Sequence, residues 1–163
     1  MSEKNQNTDA ELDMEPVDMY VLFARMFADI TKEVEAACGS KGVEAVREGI
    51  RVFGERRGKD IARRAKALGH EADAEHYLSS YDMARSDFFH SDNDIKCKTV
   101  EQTFDHCVFA ETWMKDGTEK YGIHYCEMID PAIAAGYNPC FQCNHDKHFF
   151  KNGHCHFMFE MKE

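Results

Sequence analysis

Long apolar runs are missing from this chain. No stretch of about 18 apolar residues occurs, so no segment reads as a membrane-spanning helix. The start of the chain lacks the basic-then-apolar order of a secretory signal. The expectation is therefore a cytoplasmic protein whose seven cysteines are free thiols, and their odd number would leave one unpaired in any disulfide scheme. Basic residues are also in short supply, with 20 Lys and Arg against 30 Asp and Glu and a formal charge of −10. That balance repels phosphate backbones and anionic membrane surfaces. It argues against nucleic-acid and membrane partners and leaves a small-molecule substrate, with a homo-oligomer open. Three signatures are absent as well: a Gly-rich phosphate loop, a G-x-S-x-G elbow and an H-E-x-x-H helix. P-loop nucleotide chemistry, serine hydrolysis on an α/β sheet and zincin-type proteolysis lose their usual sequence basis.

What is present suffices for one folded unit. The 163 residues are 43% hydrophobic and 12% aromatic, a composition that buries a core without disulfide staples. Met1–Glu15 carries five acids against Lys4 alone and reads as a disordered acidic leader. Residues 16–163 read as a single α+β domain, helical over 16–82 and Cys/His-rich with a sheet over 83–163.

The helical part rests on periodicity. Val17, Tyr20, Ala24, Phe27, Thr31, Val34 and Cys38 recur on one face of a 3.6-residue helix. Gly39-Ser40 breaks the pattern, which resumes through Val43, Val46, Ile50, Phe53, Arg57, Ile61, Ala65 and Leu68 and stops at Gly69. Gly54 and Gly58 lie one turn apart, where each weakens the helix by about 1 kcal/mol; close approach of a neighbour would explain them. A short helix is expected over 73–80. Residues 87–90 and 95–103 read as hairpin strands around a Ser91-Asp92-Asn93-Asp94 turn. Short helices are expected over 107–115 and 119–130, with Pro131 opening a separate turn that ends at Gly136. Cys155, Phe157, Phe159 and Met161 alternate as the clearest strand, paired with 140–145. Helices first and strands later give an antiparallel sheet with N-terminal helices packed on it and short helices inserted.

Chemistry concentrates in the second half. Seven of nine histidines lie from His90 onward and six of seven cysteines from Cys97 onward, the clustering that a thiol-based site or a metal site needs. The first candidate set is His106 and Cys107 with His124, Cys126, Glu127 and Asp130. Cys126 and Asp130 share a helix face at i, i+4; a histidine beside a thiol favours the thiolate, and the carboxylate orients or takes a proton. The bland alternative makes Cys107 and Cys126 small core residues. The second set is Cys140-x2-Cys143-x4-His148-x6-Cys155, close to a zinc knuckle. A regular strand opposes it, because residues i and i+3 face opposite ways; a turn over 139–143 would remove that objection. The third is His145, His148, His154 and His156, read as exposed loop residues or as transition-metal ligands.

The stretch Tyr125-Cys126-Glu127-Met128-Ile129-Asp130, then Gly136-Tyr137-Asn138-Pro139, then Gly153-His154-Cys155-His156-Phe157-Met158-Phe159 resembles the C-terminal signature of the L-2-amino-thiazoline-4-carboxylic acid hydrolase family. His106-Cys107 leading to Trp113 is similar to that family's upstream cysteine motif, and the resemblance covers about residues 40–160. It implies a hydrolase that opens a cyclic C–N or C–S bond by a cysteine- or metal-assisted mechanism, giving a carbamoyl-cysteine. Cys107, Cys126, Asp130 and Cys155 carry over as site residues. His156 departs from the acidic residue that many members have there, which leaves the exact substrate open. In this reading Cys126 is the nucleophile, His124 or His106 the proton carrier, and Asp130 the orienter. Asn138, Cys155 and His156 are the substrate-binding candidates, with Arg85 or Lys147 for a substrate carboxylate. The alternative from a different class is a non-catalytic module binding zinc or a small ligand. Zinc is the one cofactor the residues suggest.

Overall fold

A computed structural model describes residues 16–83 and 87–162. The expected leader and Arg85 lie outside them. Helix α1 (Met19–Cys38) begins where the Asp18 carboxylate accepts the Tyr20 amide. It ends at Gly39, whose φ of 63° suits a residue without a Cβ. Helix α2 (Ser40–Ala67) follows at once, with Gly39 rather than Ser40 at the cap position. A short α3 (Ala74–Tyr77) and a 3-10 turn (Leu78–Ser80) complete the helical part.

Four strands follow: β1 (Phe89–Lys96), β2 (Thr99–Cys107), β3 (Phe141–Lys147) and β4 (Cys155–Met161). They form one antiparallel sheet in the order β1-β2-β4-β3. Between them come α4 (Val108–Asp116), α5 (Glu119–Tyr137) and a single-turn α6 (Phe149–Asn152). The α+β class with N-terminal helices and a C-terminal antiparallel sheet is the one the sequence predicts.

Three local expectations are corrected. The Ser91–Asp94 segment is not the hairpin turn; it lies inside β1, and the chain reverses at Cys97-Lys98. Asp and Asn signal turns by local propensity, but the pairing of Ser91 with Phe104 and Asn93 with Gln102 overrides that signal. Pro131 does not restart the helix. α5 runs through it to Tyr137, because Ile129, Ala132 and Ile133 are buried on either side of it. α5 is thus not a short insertion but the main partner of α2.

The α2–α5 crossing is the reason for the glycines. A Cβ on Gly58 would come within 2.1 Å of the Ile133 carbonyl, and one on Gly136 within 2.2 Å of the Glu55 carbonyl. Backbone meets backbone there, as the one-turn spacing of Gly54 and Gly58 predicts. Ile50 and Ile61 of α2 and Ile133 of α5 share a buried cluster with Val100, Phe157 and Phe159 of the sheet. A second, smaller cluster gathers Trp113 with Ala24 and Ala28, and the indole N–H donates to the Ala24 carbonyl at 2.7 Å. The helices cover one face of the sheet. His156, Met158 and Glu160 alternate onto the other face.

Candidate active site

A cavity of about 210 Å³ opens between the sheet and the α2–α5 pair. It is smaller than the roughly 300–1,000 Å³ of a drug-sized ligand pocket, so its occupant is small. The sheet supplies one wall through cross-strand neighbours: Phe89 opposite Cys107, Ser91 opposite Phe104, Asn93 opposite Gln102, and Phe104 opposite Cys155. Two steps along β1 (Phe89 to Ser91) match three along β2 (Cys107 to Phe104), and a bulge at His90/Ser91 absorbs the difference. The bulge is what brings Cys107 onto the cavity side.

Helix α5 supplies the other wall. Tyr125, Cys126, Ile129 and Asp130 project from one face at helical spacing. Arg57 reaches in from α2 and His145 from β3. Cys107, Cys126, Asp130 and Cys155 thus line one cavity, although 48 positions separate the first from the last.

The electrostatics of the cavity follow from burial. Desolvation pushes the Asp130 carboxyl up to about 6, against the pull of Arg57. Desolvation also raises all three thiols. Cys126 stands well above the ordinary thiol, with Cys107, Cys155 and Asp130 adding to the burial effect. Cys155 is pushed up to about 12. Cys107 is pushed up to about 11, held back by the Ala110 and Phe109 amides because it sits at the N-terminus of α4. At neutral pH the thiols are protonated, and Asp130 is the group that exchanges a proton readily.

His145 was not singled out as a cavity residue by the sequence, which groups it with loop histidines. Its ring lies between His148 (centroids 3.8 Å apart) and Phe157 (4.0 Å). Its Nδ1–H donates to the Cys126 carbonyl at 3.2 Å. Burial, then the neighbouring His148, pushes it down to about 4, so the ring is neutral. Gln102 and Asn93 are a second surprise: Gln102 is buried, and its amide donates to the Asn93 side-chain oxygen at 2.6 Å on the cavity wall. Polar residues on the inward phase of β1 and β2 were the available signal, hidden by the misplaced turn.

Other expected site residues lie elsewhere. His106 donates to the Glu111 carboxylate at 2.6 Å, and His124 faces Arg47 of α2, 3.3 Å away; neither lines the cavity. Burial, then Arg47, lowers the His124 imidazole further. Asn138 does not line the cavity; its side chain donates to the Ala72 carbonyl and accepts the Cys140 amide. His156 stands on the opposite sheet face, donating toward Asp146 (2.5 Å) and Glu101 (2.9 Å). Lys147 is exposed near the end of β3.

The knuckle-like set does not converge. Cys140 is exposed just before β3, and Cys143 lies within the regular strand opposite Phe159. Cys155 is four residues farther along β4, about 13 Å at the usual strand rise, too far to share a tetrahedron. His148 packs against His145 with the two rings tilted by 39°. Among the described residues, no group of three or more His, Cys, Asp and Glu side chains is arranged to hold a metal ion.

Comparison with known proteins gives one match. The model of a family described as L-2-amino-thiazoline-4-carboxylic acid hydrolase matches residues 19–159. No curated protein and no solved structure matches.

Proposed function

The chain belongs to the L-2-amino-thiazoline-4-carboxylic acid hydrolase family, and from that premise we propose that it hydrolyses a small cyclic isothiourea of the 2-aminothiazoline-4-carboxylate kind. The observation that carries this reading is the meeting of three thiols and a carboxyl of raised pKa in one small cavity.

The target carbon lies between the ring sulfur and nitrogen, and it becomes electrophilic when the ring nitrogen is protonated. Asp130, ionised above about pH 6, pairs with that cation and accepts a proton as attack proceeds. Cys107 is the best supported nucleophile, because it stands at the N-terminus of helix α4, where the Ala110 and Phe109 amides stabilise its anion. Its sulfur adds to the ring carbon, and the ring C–S or C–N bond breaks as its leaving atom takes a proton. Water then attacks the Cys107-bound carbon and releases the thiol. The net change is addition of one water, giving a carbamoyl-cysteine. This assignment moves the nucleophile from Cys126, which sequence spacing favours, to Cys107.

Release of carbamoyl-cysteine from the ring compound is the direct test. Cys107→Ser is expected to lower kcat by about 10³-fold or more and Asp130→Asn by about 10²–10⁴-fold, whereas Cys126→Ser and Cys155→Ser stay within about tenfold. Full activity in Cys107→Ser or in Asp130→Asn would sink the corresponding role. Binding of the ring without turnover would favour a ligand-binding module. The metal-assisted variant is measured separately, by zinc content in untagged protein and the effect of a chelator on rate.

A further inference from the structure

Arg57 stands in the apolar row of α2, between Phe53 and Ile61, where a charge must be held by something. Asp82 holds it: Nε donates to one carboxylate oxygen at 2.8 Å and Nη2 to the other at 2.6 Å. Both side chains are largely buried, at 12% and 17% exposure. The guanidinium also lies over the Tyr81 ring, 5.4 Å from its centroid. Burial pulls its pKa down, but the bond to Asp82 outweighs that and the group stays fully protonated. The result is a planar cation of fixed orientation whose Nη1 edge is not committed to Asp82. Among the described cavity-lining residues, Arg57 carries the one permanent positive charge.

We propose that Arg57 binds the carboxylate of the substrate and that Asp82 is its positioning residue. The inference rests on the hydrolase reading and names the group that selects the substrate within it. A chain with a formal charge of −10 repels anions at long range, and Asp130 adds a negative charge inside the cavity. An anionic ligand therefore needs a local cation. A ligand with a carboxylate at one end and a protonated isothiourea at the other answers both fixed charges, placing its ring carbon between Arg57 and Asp130. The preferred substrate class is thus the zwitterionic ring acid, and the bare ring is disfavoured.

Titration calorimetry with 2-aminothiazoline-4-carboxylate and with 2-aminothiazoline tests this, alongside turnover of each. The wild-type chain should bind the ring acid about 10–100-fold more tightly, the range for a hydrogen bond to a charged group. In Arg57→Gln the ratio between the two ligands should collapse toward one. That variant leaves Asp82 buried and unpaired, which can unfold the chain. The double variant Arg57→Gln/Asp82→Asn removes the stranded charge and should show the same collapse. A ratio that persists in either folded variant, or no preference in the wild type, overturns the assignment. Arg57-dependent binding of the ring acid without turnover would keep the assignment and reject the hydrolase reading. Turnover with an Arg57-independent preference would do the reverse.

Discussion

At the scale of a residue, Asp130 shows stability and chemistry opposed. Its carboxyl titrates near 6 in the folded chain against 3.8 for a free one. The unfolded chain therefore gives up this proton first, and the native state holds more protons between about pH 4 and 6. Stability falls as pH rises through that window, and above it the half-buried carboxylate costs on the order of 1–3 kcal/mol. Asp130→Asn is predicted to gain about 1–3 kcal/mol in urea unfolding at pH 7.5 and almost nothing at pH 4; an equal gain at both would mean that Asp130 is not the titrating group. In the wild type, kcat/KM should rise with pH along a limb centred near 6 instead of near 4. The C-x-x-x-D spacing makes Cys126 and Asp130 legible from sequence, because i, i+4 residues share a helix face. Arg57 was legible only as an anomaly, a cation in an apolar row. Its role needs Asp82, 25 positions away, and no periodicity reports that distance.

At the scale of an element, the α2–α5 crossing sets the depth of the cavity, since Arg57 and Asp130 stand on its two helices. Gly58 is the tightest of its contacts, with Ile133 and Tyr137 backbone atoms 2.1 and 2.5 Å from an added Cβ. Backbone cannot step aside as a flexible side chain can. Gly58→Ala is therefore predicted to destabilise by about 3 kcal/mol or more and to reduce activity by parting the two helices. Gly49→Ala is the control, because a Cβ there meets nothing within 4 Å. It should stabilise by about 0.5–1 kcal/mol through helix propensity. Equal melting temperatures for the two variants would remove the close-packing account. Periodicity made α1, α2 and β4 readable, since each has a long, regular apolar face. It failed at β1, whose polar Ser91 and Asn93 point into a cavity and so look like a turn. It failed again at Pro131, where burial against α2 outweighs a missing N–H.

At the scale of the whole molecule, the two faces of the sheet respond to pH for different reasons. On the face turned from the helices, histidines sit against carboxylates: His90 with Asp105, and His156 with Asp146 and Glu101. The carboxylate bonds raise both imidazoles and lower Asp105 and Asp146. A raised histidine contributes stability that is complete below its ordinary value of 6.5 and is lost as pH climbs through the folded value. The lowered aspartates contribute above 3.8 and lose their share as pH falls through their folded values. Asp130 disfavours the native state progressively from about pH 4 to 6. All of these terms place the best stability between about pH 4 and 6.5, and the self-repulsion of the acidic chain grows above that range. On the proposed mechanism catalysis needs Asp130 ionised and improves above about pH 6, so the two optima should separate. Melting temperature is predicted to peak near pH 5 and to fall toward pH 8, while kcat/KM climbs over the same interval. His156→Gln should lower the melting temperature near pH 5 and flatten its fall above about pH 6.5, yet keep kcat/KM within about twofold, because the imidazole lies across the sheet from the cavity. Loss of turnover in that variant would return His156 to the substrate-binding role that the sequence proposes, and a melting maximum near pH 8 would remove the linkage argument.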